Sequence, residues 1–181
     1  MIVIVIVGVL VSIFTLSMGS YTEEATSEHA RRLEALISLA LEEAGINGRE
    51  LGLRFYQHGY EFSSMQAAQD EDGRQIWLWV PLDADRILKP RDLGDEISID
   101  LEIENKEIVL EFERSEDFSV DNEDKEEDGE EEEGYQPQIF LLSSGDIEPP
   151  FSARIRAVFA NQGVVLNVEP DGTIEVVNDE F

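Results

Sequence analysis

The sequence predicts an α+β fold: a long N-terminal α-helix packed on a C-terminal antiparallel β-sheet head. Three observations carry this expectation. Residues 1–18 (MIVIVIVGVLVSIFTLSM) hold no charge and no proline. They run without a linker into TEEATSEHARRLEALISLALEEAG, where apolar residues return at spacings of three and four. Beyond Gly48 the period switches to two, in short runs separated by turn residues.

The N-terminal segment, residues 1–20, comes first. Eighteen helical residues rise about 27 Å, close to the hydrocarbon thickness of a bilayer. A cleavable secretory signal wants a basic stretch ahead of its apolar core, and none precedes this run. A buried soluble helix that is apolar all round needs protein on every side. A membrane anchor is therefore the expectation, with Ile2, Ile4, Ile6, Gly8, Leu10, Ile13 and Leu16 as its candidate residues. Charge bias gives no orientation, because the first basic residues after it are Arg31 and Arg32.

The amphipathic stalk, residues 21–46, follows. Ala30, Leu33, Ile37, Ala40, Leu41 and Ala44 fall on one helical face, which predicts packing against the head, and Thr26 extends that face. Glu28 with Arg32, and Arg31 with Glu34, are placed to pair on the solvent side. Gly45 and then Asn47-Gly48 stop the helix with residues that tolerate left-handed backbone.

The head, residues 49–181, reads as many short strands. Leu51, Leu53 and Phe55 alternate with Gly52 and Arg54. His58-Gly59 turns the chain into a strand starting Tyr60-Glu61-Phe62, and residues 70–73 turn it into Ile76–Val80, which Pro81 ends. Residues 97–103 alternate cleanly, residues 108–112 in part, with Asn105-Lys106 as the hairpin loop. Strands are expected again over 138–142, 153–159 and 164–168, and the last closes through Pro170-Asp171-Gly172 into 173–177. Trp77 and Trp79, on one face of their strand, are expected in the core.

One stretch departs from the pattern. Residues 115–134 (SEDFSVDNEDKEEDGEEEEG) are a dense acidic run with a single Lys. Such a block repels itself and has almost nothing to bury, so a disordered loop is expected. Its spacing does not match an EF-hand loop, so weak cation condensation is expected over a defined calcium site.

Chemistry is sparse. The net charge of −28 argues against binding a phosphate backbone. No cysteine is present, so disulfides, thiol nucleophiles and thiolate metal sites are excluded. The two histidines, His29 and His58, stand far apart with no nucleophile motif nearby. Ser143-Ser144-Gly145 lacks the Gly-x-Ser-x-Gly pattern of a nucleophile elbow, and no phosphate-cradling glycine loop occurs. No enzyme activity, cofactor or metal is expected.

The run Ile4-Val5-Ile6-Val7-Gly8-Val9-Leu10-Val11-Ser12-Ile13 resembles the interior of the N-terminal helix of type IV pilins and type II secretion pseudopilins. Residues 28–33, 41–44 and 48–53, with Gln138–Gly145 and Phe151, resemble one branch of them, the minor pseudopilins called general secretion pathway protein H. The resemblance spans most of the chain except the acidic run. It implies a pilin-like fold and a non-catalytic subunit held by its apolar half-helix in the inner membrane of a Gram-negative bacterium. The head would face the periplasm, and the same half-helix would later enter the core of a short fibre. Its implied partners are the other major and minor pseudopilins, with no nucleic acid. The family's basic leader and Gly-Phe-Thr-Leu-Ile-Glu motif are absent from this sequence, which suggests a start further upstream. Two other readings stand beside it: a minor type IV pilin for fibre assembly or DNA uptake, which needs an exposed basic patch, and a membrane-anchored periplasmic ligand-binding domain or enzyme, which needs a pocket with converging polar groups.

Overall fold

The computed structural model describes residues 2–69, 72–114, 135–158, 160 and 162–179, with side chains from Glu24 onward. Helix α1 runs unbroken from Ile2 to Asn47. Its end is set by Gly48, whose φ of 60° places it in the left-handed region. The Arg49 amide donates back to the Ala44 carbonyl at 3.2 Å, satisfying one of the orphan acceptors of the last turn.

Eleven strands follow among the described residues: β1 Leu51–Tyr56, β2 Gly59–Gln69, β3 Gln75–Pro81, β4 Arg91–Asp92, β5 Ile97–Ile103, β6 Lys106–Ile108, β7 Ile139–Leu141, β8 Ile147–Glu148, β9 Phe151–Ala157, β10 Gly163–Val168 and β11 Ile174–Asp179. They form two sheets, and every pairing is antiparallel. The first has the order β3-β2-β1-β7-β8, with β4 also on β2. The second has the order β11-β10-β9-β5-β6.

One core joins the helix to both sheets. Alternation supplies it: Leu51, Leu53 and Phe55 from β1 and Ile99 and Leu101 from β5 point inward. Phe151, Ala153 and Ile155 from β9 and Val164, Leu166 and Val168 from β10 join them. The Phe55 ring meets Phe151 at 5.6 Å and Tyr60 at 6.4 Å between centroids, tying the two sheets together.

Several details differ from the sequence expectation. The hairpin after β5 turns on Glu104 and Asn105, with φ of 52° and 62°, and Lys106 already lies in β6 opposite Ile103. Two left-handed residues in succession match the right-handed strand twist of a two-residue hairpin. The strand expected over 108–112 stops at Ile108. Beyond it the chain leaves the second sheet, and Leu110 is buried while Val109 is almost wholly exposed. The Glu111 carbonyl instead accepts from the Gln57 amide at 2.8 Å, and Leu110's from Gln57 Nε2 at 3.1 Å. Alternation ends at Leu110, since Phe112 is 58% exposed, and the backbone partner there is the β1–β2 turn.

The short strands β4 and β8 carry no periodic signal of their own. Gly59 permits β4: a Cβ there would collide with the Arg91 carbonyl. The acidic run 115–134 and residues 70 and 71 of the expected turn lie outside the described residues.

Candidate functional site

The stalk face is the first candidate surface. Ala30, Leu33, Ile37, Ala40 and Ala44 have no solvent exposure, and Leu41 is half-buried against the same core. Sequence reasoning missed Leu36, which is also buried. Its spacing of three from Leu33 and four from Ala40 was the available signal. Ile2, Ile4, Ile6, Gly8, Leu10, Ile13 and Leu16 all lie on α1, but their side chains fall outside the described residues. Among the residues whose side chains are described, from Glu24 onward, no helix is long and apolar enough to cross a membrane.

The second candidate is a buried polar cluster that the sequence did not reveal. Glu61, in the middle of β2, has no solvent exposure. The Tyr56 hydroxyl donates to its Oε1, and Arg114 Nε sits 2.5 Å from its Oε2. Arg114 continues to Asp83, 2.5 Å away. Tyr135 interacts with Glu61 and Ser63. Burial raises the Tyr56 phenol well above its ordinary value, with the Glu61 hydrogen bond and charge adding to it. Burial likewise raises Tyr135, again with Glu61 adding. Both phenols therefore stay protonated as donors, and Glu61 acts as an acceptor that draws chain segments together. Arg114 and Tyr135 are the residues on either side of the acidic run, so both ends of that run converge on one carboxylate.

Further groups cover this side of the first sheet around Glu61. Gly52 faces Pro137 so closely that a Cβ would lie 2.5 Å from its Cγ. The Arg54 guanidinium lies over the rings of Tyr56 and Tyr135, at 5.6 and 5.3 Å from their centroids, and binds Glu111 at 2.9 Å. Alternation alone would send Glu61 to solvent. The flanks of the acidic run cover it instead.

A pocket of about 330 Å³ opens beside the cluster, lined among others by His58, Tyr60, Arg91, Phe112 and Arg114. Among the described residues, no Ser, Thr or Cys lines it. His58 Nδ1 lies 2.7 Å from the Ile97 carbonyl, and its ring stands edge-on to Phe112 at 4.9 Å. That histidine is held by backbone and ring packing. Ser143 is likewise structural: its amide and hydroxyl each donate to Glu50 at 2.9 Å, fixing the turn after β7. No group of three or more metal-ligating side chains gathers among the described residues.

Much of the positive charge is paired locally. Arg32, Arg49, Arg54, Arg74, Arg114, Arg154 and Arg156 each pair with a carboxylate. A phosphate-tracking surface needs such groups clustered and unclaimed.

The third candidate corrects an expectation. Trp77 is 63% exposed and Trp79 only half-buried, its ring 5.6 Å from Phe140. Neither belongs to the core. Burial along β2 ends at Ser64, so among the described residues the far part of the β2–β3 hairpin lies beyond the sheet's covered region.

No family model matches the chain. A Type II secretion system protein H of Pseudomonas aeruginosa is 31% identical over 174 residues, covering 95% of this chain and 87% of the relative. The chain belongs to the type II secretion system protein H family. A second protein H, from Aeromonas hydrophila, is 27% identical over 150 residues, covering 82% of this chain and 73% of its own length.

Solved structures agree with protein H in fold. Two structures of the Vibrio cholerae minor pseudopilin EpsH superpose with TM-scores of 0.58 and 0.59 at 18% identity. They cover 84% and 88% of this chain and 95% and 98% of theirs. The solution structure of Escherichia coli GspH gives 0.53 at 21% identity, covering 86% and 89%.

Proposed function

We propose that this chain is a structural minor pseudopilin of the type II secretion pseudopilus, taking part in protein export. The observation that carries the proposal is α1. One helix of 46 residues joins an uncharged apolar sequence to a stalk face built into the head's core. A subunit that must pass from bilayer to fibre needs such a rigid junction, because a flexible linker would leave head and anchor uncoupled. Among the described residues, the Glu61 cluster ties chain segments together through hydrogen bonds and ion pairs, as a structural element does.

In this reading the protein is membrane-associated and periplasmic. Residues 1–20 anchor it as a single pass in the inner membrane and then enter the fibre core, residues 21–46 form the stalk, and residues 49–181 form the periplasmic head. Other major and minor pseudopilins are its partners.

The test is a deletion strain complemented with the full chain. Export of the strain's secreted proteins should fall without it and return with it. The full chain, extracted in mild detergent, should bring other pseudopilins with it. Normal export in the deletion strain, coupled to lost DNA uptake, would replace this reading with that of an uptake pilin.

A further inference from the structure

Strand β3 is an edge strand whose protection is confined to Pro81 at its end. Its partner on one side is β2, and among the described residues nothing pairs with the other. The Leu82 amide donates to the Phe62 carbonyl at 2.9 Å, which fixes the phase of the ladder. Ser64↔Val80, Gln66↔Leu78 and Ala68↔Ile76 are then the hydrogen-bonded pairs. The N–H and C=O groups of Gln75, Trp77 and Trp79 therefore point outward, away from β2. Pro81, which has no N–H, falls at the outward phase where β3 ends.

Natural edges are blunted by charge, proline or brevity. The other edge strands follow that rule. β4, β6, β8 and β11 each carry at least one charged residue, and the first three have only two or three residues. β3 has seven residues, Gln-Ile-Trp-Leu-Trp-Val-Pro, and no charge. It exposes apolar side chains on both faces: Trp77 on one, Leu78 and Val80 on the other. The facing part of β2, Met65–Gln69, is also uncharged. In a chain of net charge −28, this is a neutral, sticky, half-open sheet.

We propose that β3 is an assembly edge, completed by an extended strand from a different pseudopilin that is neutral or basic around that strand. The proposal rests on the pseudopilin role given above. Main-chain hydrogen bonds to Trp77 and Trp79 give the added strand its register, and Trp77 with Leu78 clasps it from the two faces. A second copy of this chain is the wrong partner, because it brings another −28 to the contact and like charges face each other around the joint.

The test uses the full chain in its own membrane, with a photo-crosslinking amino acid at position 78 and a control at position 177 on β11. Products are identified by mass spectrometry. Position 78 should yield a crosslink to another pseudopilin, and position 177 should not yield the same one. Trp77→Pro removes an outward N–H while leaving the β2 ladder intact, and should cut the crosslink at least tenfold. Trp77→Ala keeps that N–H and should cut it severalfold less. Gln75→Pro repeats the backbone test at an exposed strand end, should Trp77→Pro unfold the purified protein.

A crosslink from position 78 to a second copy, or to a protein outside the pseudopilus, would overturn the proposal. So would equal losses from Trp77→Pro and Trp77→Ala, since the backbone edge would then play no part. Pseudopilin crosslinks from position 177 with none from 78 would overturn this edge and leave the assembly role standing. No pseudopilin product from either position, with export normal in the deletion strain, would remove both.

Discussion

Arg114 Nε lies 2.5 Å from Glu61 Oε2, joining the residue that opens the acidic run to a carboxylate wholly shut off from water. A charge in that position is tolerable only while its partners remain. Arg114→Met should therefore lower unfolding free energy by about 3 kcal/mol, the cost of a buried ion left short of its partner. Adding Glu61→Gln to that variant should recover part of the loss. Urea unfolding of the single and double variants measures both, and a neutral Arg114→Met would show that water reaches Glu61.

Deleting residues 115–134 should leave the head folded. The run's two flanks, Arg114 and Tyr135, already meet at Glu61, so a short Gly/Ser turn can bridge them. Loop closure changes slowly with length, by about 0.6 kcal/mol per doubling. Removing the self-repelling acids works in the same direction. Loss of the cooperative thermal transition would show that the run belongs to the fold.

Alkali should weaken the protein through its buried phenols. Burial pushes Tyr60 up to about 12 from an ordinary 10, with Arg91 and Arg32 opposing the shift. The unfolded chain then gives up its proton first. The stability tied to this group is full below pH 10 and is lost as pH rises to about 12, by about 2 to 3 kcal/mol. Tyr56 and Tyr135 are raised too and act in the same direction. The Tyr60 hydroxyl has no hydrogen-bond partner among the described residues, so Tyr60→Phe should change stability at pH 8 by no more than about 1 kcal/mol. The same variant should lose less than the parent between pH 8 and 11. Denaturant midpoints at the two pH values decide it, and a parallel loss in both proteins would clear Tyr60 of the effect.

On the stalk, two apolar residues should answer a charge in opposite ways. Leu33 is fully buried, whereas Ile46 is 75% exposed. Leu33→Asp should cost more than about 4 kcal/mol, since it opens a cavity and buries an unpaired carboxylate. Ile46→Asp should stay within about 0.5 kcal/mol. Thermal unfolding of each variant tests this, and a tolerated Leu33→Asp would mean the stalk is not built into the core.

Local periodicity made much of the chain legible. The three-and-four spacing of Ala30, Leu33, Ile37 and Ala40 and the alternation at Leu51–Phe55 and Ile97–Ile103 are properties of neighbouring residues. A helix or half-buried strand needs only those neighbours to declare itself. The resemblance to pseudopilins was legible for the same reason, in short stretches of contiguous sequence. Tertiary structure alone decided what depended on distant partners. Glu61 reads as a solvent-facing strand residue, yet Arg114 and Tyr135, more than fifty positions away, cover it. Trp77 reads as core, yet it is exposed on a hairpin whose burial ends at Ser64. The alternation after Ile108 promised more strand, but the Leu110 and Glu111 carbonyls found Gln57. Sequence period tells a strand which residues share a face. Only the packed molecule supplies what lies against that face, because burial belongs to the pair of surfaces and not to either one.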